Sequence, residues 1–157
     1  MKYSSPITDF IQQSTYLRTV YFPFIDSFPL QTVDGILILN AGDYAITYFS
    51  IPNEVNTIIE AKILYFPFDA SVMDVDMEYA YRAVGEADNT HAQVVVGWSL
   101  GSNTGALLAA KDLPTAFTSN LNAGDFGEFI IQKNIPPNNI IARVLGIYIK
   151  FGVRESG

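Results

Sequence analysis

The chain has 157 residues, no cysteine, and 9 Lys and Arg against 16 Asp and Glu, giving a net charge of -7. That length fits one domain burying roughly 70% of its unfolded surface, and the missing thiols exclude a disulfide framework, a thiolate nucleophile and a Cys-ligated zinc site. An acidic chain without a basic run argues against binding to nucleic acid or to anionic lipid, and 49% hydrophobic residues with 9 Tyr and 11 Phe favour pleated surfaces over helices.

The N-terminus, MKYSSPITDFIQQST, has one lysine followed by mixed polar residues, with neither the apolar core of a signal peptide nor an 18-residue apolar run. The chain is expected to be soluble and made in the cytoplasm without a signal peptide. Tyr3, Ile7, Phe10 and Ile11 follow no clear period around Pro6, so residues 1–17 read as an extended arm that orders on contact with a neighbour, with one helical turn near Asp9. Residues 18–157 read as a single β-sandwich domain.

Alternation dominates from Thr19 onward. The tetrapeptide YFPF occurs at Tyr21 to Phe24 and again at Tyr65 to Phe68. Pro67 follows a long alternating run, so the second copy reads as the margin of a core strand, where a missing N–H does little harm. Pro23 lies between the arm and the next alternating run, which makes Tyr21, Phe22 and Phe24 the candidates for packing against another subunit.

Strand patterns then follow in GILILN (35–40), DYAITYFSI (43–51), TIIEAKILYFPF (57–68) and SVMDVDMEYAYRAV (71–84). In the last of these Val75, Met77, Tyr79 and Tyr81 fall on one face, and Asp74, Asp76, Glu78 and Arg82 on the other. Three more follow: AQVVVGWSL (92–100), FGEFIIQKN (126–134) and NIIARVLGIYIKFGV (139–153), where Arg143, Leu145, Ile147, Ile149 and Phe151 alternate with Ala142, Val144, Gly146, Tyr148 and Lys150. Turn chemistry separates the runs, including NAGD at 40–43 and again at 122–125. TGALLAAKDL (104–113) fits either a short helix or a ninth strand. Strands at this spacing, with turns between them, predict an antiparallel sandwich or barrel. IPNEVNTIIEAKILYF (51–66) echoes IPPNNIIARVLGIYIKF (135–151), which convergence on a turn-then-strand pattern explains at least as well as duplication.

Chemistry is sparse. His91 is the sole histidine, which excludes a multi-histidine metal site, and its place in the loop-like GEADNTHAQ makes it read as an exposed loop histidine. Asp74, Asp76 and Glu78 form an acidic row that reads as a solvated strand face, since no calcium loop follows it. Trp98, grouped with Val94, Val96 and Leu100, reads as core; the alternative is an exposed Trp98 beside Tyr79 or Tyr81 as a sugar-stacking platform. No carboxylate pair stands out, so no catalytic residue, metal or cofactor is expected.

The order NAGDYAITYFSIPNE, IIEAKILYF, DVDMEYAYRA, QVVVGWSL, FGEFIIQKN and IARVLGIYIKFGV resembles the small jelly-roll β-sandwich structural proteins of tailed bacteriophages and related viruses. The likeness spans residues 33–152 and includes the Phe-Ser-Ile-Pro step at 49–52 and the closing Leu-Gly-Ile-Tyr-Ile at 145–149. It implies an all-β jelly roll of about eight strands with an N-terminal arm, acting in the virion as a capsid decoration, head-fibre or tail protein. It also implies a homotrimer that attaches to other virion proteins such as the major capsid protein. A carbohydrate-binding or receptor-binding sandwich module is the alternative, and no catalytic residue carries over from the family.

Overall fold

The structure, a computed structural model, describes residues 15–28, 32–33, 36–40, 42–66, 74–88, 90–100, 107–133 and 142–154. In chain order these form β1 (Thr15–Pro23), β2 (Asp26–Phe28), β3 (Thr32–Val33), β4 (Ile36–Leu39), β5 (Tyr44–Ser50), β6 (Val55–Phe66), β7 (Asp74–Arg82) and β8 (His91–Ser99). Then come β9 (Ala109–Asp112), the helix α1 (Thr115–Ser119), β10 (Phe126–Lys133) and β11 (Ala142–Arg154).

One sheet has the order β3-β4-β11-β6-β9, with β1 also paired to β11, and the other has the order β2-β5-β10-β7-β8. Every pairing is antiparallel. The eight strands from β4 to β11 give the sheets 4-11-6-9 and 5-10-7-8, which is jelly-roll connectivity. The expected all-β sandwich is therefore the fold, and β1, β2 and β3 are additions at its margin. Residues 15–17 of the expected arm belong to β1, since Thr15 pairs with Arg154 and Leu17 with Gly152.

Alternation sets the packing where it is unbroken. On β7, Val75, Met77, Tyr79 and Tyr81 are buried, while Glu78 is exposed. Other strands change phase, β6 among them, and the single-face readings of β11 and β8 are corrected. On β11 the register slips between Val144 and Gly146 against β6. The extra residue, Leu145, lets Val144 face the core before it and Ile147, Ile149, Phe151 and Val153 after it. On β8 a slip opposite Val75 and Met77 puts Val95 and Trp98 against the core, three positions apart. Val94 and Val96, expected to be buried beside Trp98, are 61% and 74% exposed. Gly97 carries this bulge at φ +68°, and its N–H donates to an Asp76 carboxylate oxygen at 2.9 Å.

The segment left between helix and strand resolves in part: Ala109–Asp112 is β9, paired with β6. The helix comes after Pro114, where no apolar period marks it, and it is anchored by fully buried Phe117. That ring packs within 5.0–5.9 Å of Phe49, Tyr79, Tyr81 and Phe129, joining both β5–β10 and β7 to the helix.

Both NAGD turns fold alike. The Asp43 carboxylate accepts from the Asn40 N–H at 2.9 Å, and the Asp125 carboxylate from the Asn122 N–H at 2.7 Å. Gly42 and Gly124 sit at φ 86° and 82°, where glycine carries no Cβ penalty. The first turn feeds β5 and the second feeds β10, and these strands pair with each other. The motifs lie 82 positions apart, and so do the partners Thr47 and Phe129 in one sheet and Leu64 and Gly146 in the other. The sequence echo thus occupies two-fold related places, with β5–β6 matched to β10–β11.

Candidate interaction surface

At one margin of the sandwich β1 and β5 face each other as the outer strands of opposite sheets. Between them and β10 lies an open groove of about 430 Å³. Its walls are Phe22, Tyr48, Phe49 and Phe126, with Arg82 and Glu128 at its rim. Phe22 and Phe49 meet edge to face at 6.2 Å. Tyr48 and Phe126 point outward on alternate positions of β5 and β10 and are 56% and 44% exposed. The Arg82 guanidinium lies 6.0 Å from the Phe126 ring centre and is also held by the Asp88 carbonyl and carboxylate, at 3.2 and 3.6 Å. A mostly aromatic lining with a few polar groups suits the capture of an apolar side chain.

The first YFPF divides between surface and core. Tyr21 is 45% exposed on the outward face of β1, with its ring against Gly146. Phe22 is half-buried in the groove. Phe24 is 6% exposed and belongs to the core beside Phe129, so its reading as an intersubunit contact is corrected: the chain turns inward there, with the Phe24 N–H donating to Leu145. Tyr3, Ile7, Phe10 and Ile11 lie outside the described residues, as do Pro67 and Phe68 of the second copy.

The sugar-stacking alternative is also corrected. Tyr79 and Tyr81 are buried inward on β7, stacked on each other at 5.9 Å, and His91 covers Tyr81 at 5.1 Å. Their hydroxyls donate to Gln93 and to the Phe117 carbonyl. Burial, and secondarily the charges of Tyr79 and Asp125, pushes the Tyr81 hydroxyl well above the usual phenol range. Trp98 lies toward the other end of β8, half-buried, with the Lys111 ammonium 4.8 Å from its ring centre. The three aromatic residues do not form one platform.

Ionisable groups elsewhere read as structural. Lys62 bridges Glu60 and Asp112 at 3.7 and 3.6 Å, and Tyr148, then these two carboxylates, hold its ammonium above the usual range. Lys133 is buried, donates to the Asp74 carbonyl at 3.3 Å, and is pushed down by burial. Among the described residues no three His, Asp or Glu side chains converge as metal ligands, and no helix is long and apolar enough to cross a membrane.

Sequence reasoning missed Tyr48 and Phe126. Their outward positions follow from the alternation of β5 and β10, but their adjacency depends on the pairing of Phe126 with Ser50. Compared with protein-family models and with curated proteins, the chain matches none.

Proposed function

We propose that this chain is a non-enzymatic structural protein of a virion, a capsid decoration, head-fibre or tail component. It works by assembling with itself, as a homotrimer, and by attaching to other virion proteins such as the major capsid protein. The observation that carries this reading is the aromatic groove at an open sandwich margin, where Tyr48 and Phe126 present apolar surface beside half-buried Phe22. Contiguous exposed aromatic residues of this kind are typical of the centres of protein interfaces. The jelly-roll sandwich and the resemblance of residues 33–152 to phage structural proteins add the virion as the setting.

Size-exclusion chromatography with light scattering tests the assembly. The expected mass is about three times the 17.3 kDa of one chain, and Phe126→Asp is expected to reduce it, since a charge desolvated at an interface centre is costly. A strict monomer at micromolar concentration, unchanged by that substitution, would overturn the reading.

A further inference from the structure

Among the described residues, the groove borders a stretch of backbone that no strand pairs. Ile51 N–H donates to the Asp125 carbonyl and Lys133 N–H to the Asp43 carbonyl, so the odd-numbered positions of β5 turn their peptide groups toward β10. The even-numbered positions turn theirs the other way, as the Ile46 carbonyl does in accepting from the Ile25 N–H. β2 covers that side only from Tyr44 to Ile46. Beyond it, Tyr48 and Ser50 direct N–H and C=O groups to a side where no strand of the described residues pairs with them. An open edge beside an apolar groove is the arrangement that takes up an extended peptide as an added strand, with backbone bonds for affinity and the groove for one side chain.

We infer that the added strand is residues 1–14 of a neighbouring copy, laid along Tyr48–Ser50 with one of Tyr3, Ile7, Phe10 or Ile11 in the groove. This rests on the assembly reading above and names its contact. Fourteen residues precede Thr15; extended, they span roughly 46–50 Å, several times the roughly 10 Å of the open edge. They leave from the right end of the molecule. Thr15 pairs with Arg154, and the next residue of β11, Val153, pairs with both Tyr16 and Val55. Val55 is joined to Ser50 by the turn at 51–54, so the segment emerges at the Ser50 end of the edge. To add antiparallel to β5 within its own subunit, the segment would use much of its length doubling back to Thr15. A segment arriving from another copy has no such constraint, and every other pairing in this sheet is antiparallel. With one segment donated and one accepted per chain, head-to-tail donation around a three-fold axis closes into the trimeric ring proposed above.

The absence of native cysteine makes disulfide mapping free of background. In the full chain carrying Phe10→Cys with Ser50→Cys, mild oxidation is expected to give covalently linked chains of the same mass as the assembly seen by light scattering. Phe10→Cys with Val84→Cys, at an exposed turn, is the control and is expected to stay unlinked. Ser50→Pro removes an edge N–H for which no described residue is an acceptor. Introduced into the chain with Phe10→Cys and Tyr48→Cys, it is expected to lower the linked fraction about ten-fold. A disulfide closed within single chains would overturn the inference by placing the segment in its own subunit. Free thiols in an intact oligomer would overturn it while leaving the assembly reading in place, and free thiols in a monomer would overturn both.

Discussion

Tyr81 is fully buried and donates its hydroxyl proton to the Phe117 carbonyl at 2.8 Å, tying β7 to the helix that plugs the core. Tyr79 and Tyr65 are buried too, and burial raises all three hydroxyls above their ordinary value. A tyrosine whose folded pKa is raised contributes stability that is complete below the unfolded pKa of about 10 and is lost as pH climbs from there toward the folded value. The protein should therefore keep its stability through neutral pH and lose it above about pH 10. Buried Lys133, pushed downward, adds stability as pH rises toward its ordinary value of about 10.5, so its contribution is complete by the range in which the tyrosines lose theirs. Tyr81→Phe is expected to cost about 1–2 kcal/mol at neutral pH, by orphaning the Phe117 carbonyl, and to weaken the alkaline loss. Urea titrations at neutral pH and above pH 10 check both. The burial of Tyr79 and Tyr81 was legible in the alternation of β7; their partner Phe117 was not, because it lies 36 residues beyond Tyr81 in a helix with no apolar period.

At the scale of elements, the strands whose patterns misled are those that carry bulges. A bulge inserts one residue into one strand, so each half of β8 and of β11 alternates correctly while the whole does not. Val94 and Val96 looked like companions of Trp98 because the extra residue is defined only against β7. Gly97 is the residue of β8 that takes the required left-handed backbone, and no atom stands within 4 Å of where its Cβ would be. Gly97→Ala should therefore cost only the conformational penalty, about 1–2 kcal/mol, seen as a lower thermal midpoint without loss of fold. A larger loss, or none, would mean that the bulge is not held at this position. The twin NAGD turns were legible as turns. That they feed paired strands follows from the two-sheet connectivity, which no local signal carries.

At the scale of the whole molecule, a chain that completes its neighbour's sheet is stabilised by association, so its unfolding is linked to concentration. The thermal midpoint is expected to rise with protein concentration across the micromolar range, and to become independent of it in Phe126→Asp. A midpoint unaffected by concentration in the unaltered chain would count against assembly. By itself the sequence determined the fold class, most strand positions, the turns between them and the dry face of β7. These depend on alternation and turn residues, which act over a few neighbouring positions. Only the tertiary structure decided that Phe24 is core while Tyr21 is surface, that Tyr79 and Tyr81 form no platform with Trp98, and that Tyr48, Phe126 and Phe22 meet at one groove. Each of those depends on the register between strands far apart in the chain, and on bulges that shift a face by one residue.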